Sequence, residues 1–414
     1  MIKFIHTADI HFGVENYGRI DPATGIHTRL LDFYGALQRC IDRAIEEEVD
    51  LFLFSGDAYK TAYPTPTQQR LLLESFLRLF RAQIPIIMVI GNHDNALSFG
   101  KAHALEVFGQ IPISGFHVIA KPSTVTVQTK QGPLNIVGIP WPSRTSIALH
   151  ADHTQQSQLH LSERISDAVV AIIQELAEGL DPAIPAILAG HLTVSTGIFS
   201  GSEKRAIYGS DPIILPSQLA IKPFDYVALG HLHRYQNLNE AGYPAVVYSG
   251  SLERIDFGER KESKGFCLVR IPEKGKAEHE FIPLTTRPFI QIELRITEAD
   301  QTKQILEKIA QCALSDAVVK IIYHLPAGVR DTVDITQIQR ACVAAHYLVG
   351  IIPIRQIAPA TQRSRLLPAA AHTINSLLEH YIAAKPELLP HKERLLSKIA
   401  AMVSAESLKD DRLL

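Results

Sequence analysis

The sequence predicts an α/β protein built on a mostly parallel sheet, with a second layer of antiparallel or mixed strands beside it. Three observations carry that prediction. Five short runs, Ile2 to Thr7, Leu51 to Phe54, Ile86 to Ile90, Ala186 to Ala189 and Tyr226 to Leu229, are close to continuously apolar instead of alternating, as strands covered on both faces are. Helix-periodic segments separate the first three runs, at the spacing of right-handed βαβ units. The segment from Phe116 to Ile139 alternates in short runs around Lys130-Gln131-Gly132, a hairpin signal.

Each of the five runs closes on groups that bind metals or move protons. These are Asp9 and His11, Asp57, Asn92-His93-Asp94, His191, and His231 and His233, four of the five sets introduced by a glycine. Glycine lets the backbone turn sharply at a strand's carboxyl end, where open α/β sheets place their ligands. Asp9 and His11 stand two apart, as do His231 and His233, so extended backbone aims each pair the same way. Carboxylate, imidazole and amide oxygen together suit Mn²⁺, Fe or Zn²⁺ better than Mg²⁺, which prefers oxygen shells. One cluster can hold a single ion, whereas seven ligands around a central carboxylate fit two ions ~3.5–4 Å apart.

In this order, Asp9-x-His11, Gly56-Asp57, Gly91-Asn92-His93-Asp94, Gly190-His191 and Gly230-His231-x-His233 resemble the calcineurin-like metallophosphoesterases. A narrower resemblance, to the SbcD-type nuclease subunits of bacterial SbcCD complexes, rests on Asn16-Tyr17-Gly18-Arg19, Gly209-Ser210-Asp211-Pro212 and Tyr248-Ser249-Gly250-Ser251. The resemblance implies a two-sheet αββα sandwich with a small α/β capping domain and a C-terminal helical segment. It implies two divalent ions, Mn²⁺ foremost. Asp9, His11, Asp57 and His233 would hold one, and Asp57, Asn92, His191 and His231 the other. His93 would be no ligand; it would face the scissile phosphate and protonate the leaving oxygen, oriented by Asp94. One departure stands out: this family often has an acidic residue or His after the aromatic that follows Gly-Asp, and here the run is Asp57-Ala58-Tyr59-Lys60. Lys60 can approach a phosphate as a point charge but transfers protons less readily than histidine near neutral pH.

Length and composition bound the rest. At ~150 residues per domain, a chain of 414 residues makes about two or three domains. A hydrophobic share of 46% and a charged share of 20% describe an ordinary globular protein with ample core. The formal net charge of −2 gives no support to a dominant nucleic-acid surface, so a grip on DNA must come from a local patch, from metals or from a partner. Cys40, Cys267, Cys312 and Cys342 form no paired motif and read as free thiols of a reducing compartment. No basic-plus-apolar leader and no apolar run near ~20 residues is visible, and a cytoplasmic location follows as the expectation.

Along the chain, residues 12–27 form a polar loop on the rim of the site, from which Arg19 and His27 can reach substrate. A helix follows from Thr28, with Leu30, Tyr34, Leu37, Ile41 and Ile45 on one face. Thr65-Pro66 opens the next helix as N-cap and first-turn proline. A further helix at about 160–178 leads to the His191 strand, and residues 192–222 read as a mobile loop or a plain surface connection. Ala245 to Tyr248, Gly265 to Arg270 and Glu278 to Pro283 read as strands of the second sheet. Between them, Arg254, Arg260, Lys261 and Lys264 interleave with Glu253, Asp256, Glu259 and Glu262, the pattern of a neutralised surface. Thr285-Thr286-Arg287-Pro288 marks a boundary between residues 1–285 and a small α/β domain at 286–357. Residues 358–414 carry two amphipathic stripes, one at Ile374, Leu377, Leu378, Tyr381 and Ile382 and one at Leu395, Ile399, Met402 and Val403.

The expected function is a two-metal DNA nuclease. By resemblance it acts 3′→5′ on duplex ends and endonucleolytically on single strands or hairpins, in double-strand break repair and recombination. Its implied partners are DNA, an SbcC-type ATPase whose coiled coil docks on the terminal helices, and a second copy of the chain within a heterotetramer; no membrane is involved. ATP falls to the partner, because no Gly-x-x-x-x-Gly-Lys-Ser/Thr loop is present. Two rivals remain: a metallophosphoesterase acting on phosphoproteins or small phosphodiesters, and a non-catalytic subunit that binds DNA ends.

Overall fold

Apolar runs without alternation are satisfied only where both faces of a sheet are covered, and that requirement organises the molecule. The computed structural model describes residues 1–95, 102–110, 115–143, 158–201, 211–355, 379, 382 and 385–398. Strand β1 (Ile2–Thr7) leads through helix α1 (Thr28–Glu46) to β2 (Leu51–Phe54), then through α2 (Pro66–Arg81) to β3 (Ile86–Val89). Helix α2 opens on a capping box, in which Thr65 and Gln68 satisfy each other's main-chain N–H groups. A short helix α3 (Glu106–Gln110) precedes β4 (Phe116–Ile119), and β1 to β4 run parallel in neighbouring pairs.

The hairpin signal is met by β5 (Ser123–Thr129) and β6 (Gly132–Ile139), which pair antiparallel. Helix α4 (Gln158–Glu178) then leads to β7 (Ala186–His191), a small pair β8 (Thr193–Val194) and β9 (Ile213–Ile214), helix α5 (Pro216–Leu219) and β10 (Tyr226–Gly230). Strands β11 (Gln236–Asn237) and β12 (Ala245–Tyr248) complete a second six-stranded sheet, in the order β11-β12-β10-β7-β6-β5. The expected mobile loop at 192–222 is thus partly built into β8, β9 and α5, with residues 202–210 outside the described set.

Strands β13 (Gly265–Ile271) and β14 (Glu278–Pro283) correct an expectation, because both join the first sheet and not the second. Residues Phe266 to Val269 are buried on both faces: Phe266 and Leu268 meet the helical layer, whereas Cys267 and Val269 meet the other sheet. Such a strand needs an interior position, and the outer edge of β1 supplies it, in antiparallel register from Ile2 opposite Ile271 to His6 opposite Cys267. The first sheet therefore reads β14-β13-β1-β2-β3-β4.

The two sheets face each other across Phe4, Leu53, Ile87, Val89, Ile136, Ile187, Ala228 and Val247, with α1 and α2 outside the first and α4 outside the second. This is the αββα sandwich. Within the sheet interface, His6 is wholly buried, with Nδ1 3.1 Å from the Tyr226 hydroxyl and Nε2 3.2 Å from the Leu229 carbonyl.

Beyond Pro288, β15 (Phe289–Arg295), α6 (Gln301–Ala310), β16 (Val318–Leu325), α7 (Ile335–Ala341) and β17 (Tyr347–Arg355) form a three-stranded parallel sheet with two helices. It is clamped to α1 by ion pairs as well as apolar contact. Arg287 grips Asp32 with Nε at 2.7 Å and Nη2 at 2.6 Å, and Arg29 shares the same carboxylate at 2.7 Å. The Arg29 guanidinium is fully buried between the rings of Phe33 and Phe289, each 5.1 Å away. By internal contacts the chain divides into residues 1–355, which include this small sheet, and 356–414. In the second unit, Pro386–His391 forms a 3-10 turn that runs into helix at 392–398. Most of both expected stripes, including Ile374, Leu377, Leu378, Tyr381, Ile399, Met402 and Val403, lies outside the described residues. Among the described residues no helix is long and apolar enough to cross a membrane.

Candidate metal centre

Parallel strands end together, so the carboxyl ends of β1, β2 and β3 share one edge with those of β7 and β10 in the facing sheet. The chain turns there by left-handed backbone, and not by extension as the two-residue spacing suggested. Asp9, His11, Asp57 and His231 have φ of 53°, 51°, 61° and 105°. Each such conformation costs on the order of 1–3 kcal/mol for a residue other than glycine. Main-chain hydrogen bonds hold the loops: Asp9 N–H donates to Gly56 O at 2.9 Å, His11 to Asp57 at 3.0 Å and Phe12 to Ala58 at 2.9 Å. Gly91 permits a close approach: a Cβ there would overlap the Asp57 side chain and main-chain nitrogen.

The expected residues converge as two neighbouring sets. In one, His11 Nε2 lies 3.1 Å from His233 Nε2, 3.6 Å from Asp57 Oδ2 and 4.0 Å from Asp9 Oδ1. In the other, His191 Nε2 lies 2.9 Å from Asn92 Oδ1 and 3.4 Å from Asp57 Oδ2, with His231 Nδ1 3.3 Å from Asn92 Oδ1. Asp57 is common to both. The groups Asp9, His11 and His233; His11, Asp57 and His93; and Asp9, Asp57 and His191 each bring one donor atom per residue within 4.8 Å. All but Asn92 and His93 are buried.

The donor set fits divalent cations. His191 Nδ1 sits 2.8 Å from the Ser55 carbonyl, which only accepts, so Nδ1 carries the proton. Nε2 then faces the oxygens of Asn92 and Asp57, so a positive charge belongs between them, a proton on Nε2 in the metal-free chain or a cation that displaces it. Electrostatics agree. Burial alone lowers the His191 pKa, but the Asp57 charge and hydrogen bond, with Asp9 and the Ser55 carbonyl, raise it to about 9. In the same pocket burial brings His231 down to about 3 and His11 well below its ordinary value, so both favour the neutral, ligating form.

His93 stands exposed at the mouth, its ring edge-on to His11 with centroids 4.9 Å apart. Its orientation corrects the expectation. Nδ1–H donates to the Lys60 carbonyl at 2.7 Å. The Asp94 carboxylate instead accepts from the main-chain N–H groups of Asp57 (2.8 Å), Ala58 (2.9 Å), Gly91 (3.1 Å) and Tyr59 (3.3 Å). Burial and the charge of Asp57 push Asp94 up to about 6, against the pull of those N–H groups. Asp94 is therefore a brace that ties the β3 loop to the β2 loop. Lys60 contributes its carbonyl to the site, and its side chain is exposed. Of the two rim residues, His27 is the N-cap of α1, its Nδ1 accepting from Arg29 N–H at 3.3 Å, and exposed Arg19 engages Thr28 through its main chain.

Several contributors escaped the sequence reading. Glu259 and Lys264, expected on a neutralised surface, are wholly buried, as is Glu253, and Glu259 Oε1 lies 2.9 Å from His233 Nδ1. Burial opposes the Glu259 charge, but Lys264 and His233 hold it down to about 2. Trp141 packs its ring 4.8 Å from that of His231 and 6.0 Å from that of His191. As the chain's one tryptophan, placed directly after the Ile139-Pro140 end of a strand, it carried a signal. Glu259 carried none, since alternating charges normally mean solvent.

Fold and site together define a metal-dependent phosphoesterase with a buried His/Asp cluster suited to two metal ions. The Calcineurin-like phosphoesterase family matches residues 2–235, more than half of the 414, and the chain belongs to that family. Among solved structures, it is similar to a dimetal phosphatase from Danio rerio, with 11% identity and a TM-score of 0.39 over 69% of this chain and 99% of that one. It is also similar to the protein TT1561 of Thermus thermophilus, with 14% identity and a TM-score of 0.38 over 68% and 98%. At that distance neither bears on substrate.

Proposed function

We propose that the chain is a two-metal DNA nuclease of the SbcD type, cleaving phosphodiesters at duplex ends and in single strands or hairpins during break repair. The observation that carries this reading is where Tyr17, Asp211 and Ser251, one described residue from each stretch of the narrower resemblance, lie. Tyr17 packs its ring against Phe257 and Phe289, at 5.4 and 5.8 Å, between the rim loop and the small domain. Asp211 approaches His231, with Oδ2 3.9 Å from Nε2. Ser251 N–H donates to the carbonyl of His233 at 3.0 Å. Asp211 and Ser251 thus stand against ligand-bearing loops of the centre, and Tyr17 bridges the rim loop and the small sheet that begins at Phe289.

Bound divalent ions, with Mn²⁺ first in expectation, supply Lewis-acid charge at the phosphate and lower the pKa of water. Asp9, His11, Asp57 and His233 would hold one, and Asp57, Asn92, His191 and His231 the other. The chain's own part in the step is proton delivery. With Nδ1–H fixed on the Lys60 carbonyl, Nε2 is the His93 atom left to donate, and a protonated ring can pass its proton from there to a leaving oxygen. The partners follow as part of this proposal: DNA, a second copy of the chain, and a coiled-coil ATPase of the SbcC type docking on residues 358–414.

The test is purified protein with Mn²⁺ and an end-labelled linear duplex, beside Asp57→Ala. Shortening by the wild type alone supports a nuclease. Turnover of bis-p-nitrophenyl phosphate without DNA cleavage, even after addition of the ATPase, points to another phosphodiester. Failure on both substrates with ions bound favours a DNA-end-binding subunit.

A further inference from the structure

We propose that Glu259, clamped by Lys264, is a positioning residue that fixes the tautomer and ring orientation of His233 and so sets the affinity of one ion of the pair. The residue sits on a 3-10 turn, Phe257–Glu259, capped by Asp256, whose side chain accepts from Gly258 N–H at 2.7 Å. The turn is anchored on the small domain, since Phe257 meets Phe289 with centroids 5.0 Å apart and lies under the Lys320 ammonium at 5.7 Å.

From that anchor the carboxylate is used completely. Oε1 accepts from His233 Nδ1–H at 2.9 Å, and Oε2 accepts from Ile255 N–H at 3.0 Å and from Lys264 Nζ at 2.8 Å. Lys264 Nζ also donates to the main-chain carbonyl of His233 at 2.9 Å and to Glu262 at 3.1 Å. One ammonium therefore holds both the backbone of His233 and the carboxylate that grips its ring. The result is that Nδ1 carries the proton and the Nε2 lone pair faces His11, 3.1 Å away, on the side of Asp9 and Asp57.

A wholly buried ion pair is a poor stabiliser, because apolar residues of the same volume do as well or better. Its position is explained by the imidazole it orients: a carboxylate behind a ligating histidine sets its tautomer and strengthens it as a donor, and losing such a partner costs about 10–100-fold in metal affinity. The residue lies beyond the 2–235 span matched by the family.

The inference rests on the two-ion reading of the site, and one experiment separates the two. Mn²⁺ binding to the full-length, metal-free chain is measured by calorimetry for wild type, Glu259→Gln and Glu259→Gln/Lys264→Met, with the thermal midpoint of each metal-free protein. Wild type is expected to bind two ions. Glu259→Gln should weaken one of them about 10–100-fold and leave the other unchanged. The double variant removes the buried charge with its counterion, so it should recover the midpoint without recovering the affinity. Two ions bound by the wild type and bound equally well by either variant would overturn the inference alone. Recovery of both midpoint and affinity in the double variant would do the same, as would collapse of the fold in both variants, since a structural role then accounts for every loss. A wild type that binds fewer than two ions overturns the site reading and the inference together.

Discussion

The ring of His93 hangs from the main-chain carbonyl of Lys60, with Nδ1 2.7 Å from the oxygen. The residue that holds the imidazole is thus one whose side chain is irrelevant to the task. His93→Ala is expected to lower turnover of bis-p-nitrophenyl phosphate about 10²–10⁴-fold, the usual worth of a general acid, with Mn²⁺ stoichiometry unchanged. Lys60→Ala should keep most of the activity on that small substrate. A Lys60→Ala loss as large as that of His93→Ala would show that the ammonium, not the carbonyl, matters.

Asp94 should act on architecture before chemistry. Its carboxylate satisfies four main-chain N–H groups in a buried turn. Hydrogen bonds to a charged acceptor are worth about 1.5–3 kcal/mol, so Asp94→Ala is expected to destabilise the metal-free chain by about 2–4 kcal/mol in urea unfolding. Asp94→Asn should lose less. A loss in turnover with no change in the unfolding midpoint would return Asp94 to a direct role beside His93.

Gly91→Ala removes no ligand and adds one methyl group, yet the space it would fill is taken by Asp57, the carboxylate common to both ion sets. Calorimetry should find Mn²⁺ affinity sharply reduced, close to the effect of Asp57→Ala. Wild-type affinity in Gly91→Ala would mean that the β2 and β3 loops can move apart freely.

His6 predicts how stability responds to acid. Burial brings its pKa down to about 3, against the hydrogen bond to the Leu229 carbonyl, while an unfolded histidine titrates near 6.5. Below that value the unfolded chain takes up a proton that the folded chain refuses, so stability is intact above pH 6.5 and falls as pH drops towards 3. Between pH 7 and 5 the group should cost about 1–2 kcal/mol. Metal-free His6→Phe should show a correspondingly flatter pH dependence in urea unfolding, and an identical slope would exclude His6 as its source.

Strand after strand was legible because the apolar runs are short and continuous and most are closed by glycine, and the polar groups that gather at the centre are the ones that stand at their ends. What stayed hidden depended on partners distant in the chain. β13 looks like any apolar strand, and only the open edge of β1, with Ile2 opposite Ile271, decides which sheet it joins. Glu259 and Lys264 look like a solvated charge run, yet both are interior and bonded to His233, a residue well upstream in the chain. Asp94 sits next to His93 in sequence, but the turn points it at main-chain N–H groups of the β2 loop. Spacing reports which residues are neighbours, and a left-handed backbone such as that of Asp9 or Asp57 decides where they point.

The antiparallel seat of β13 against β1 has a consequence for synthesis. Residues 2–7 leave the ribosome long before residues 265–271 exist to cover their outer edge. At ~5–20 residues per second, an apolar strand keeps that edge unclaimed for tens of seconds, a standing invitation to pair with another nascent chain. Polypeptides stalled short of Gly265 should therefore be retained by holdase chaperones, and polypeptides stalled well past Pro283 released. Equal retention of both would mean that the edge of β1 finds a temporary cover within its own chain.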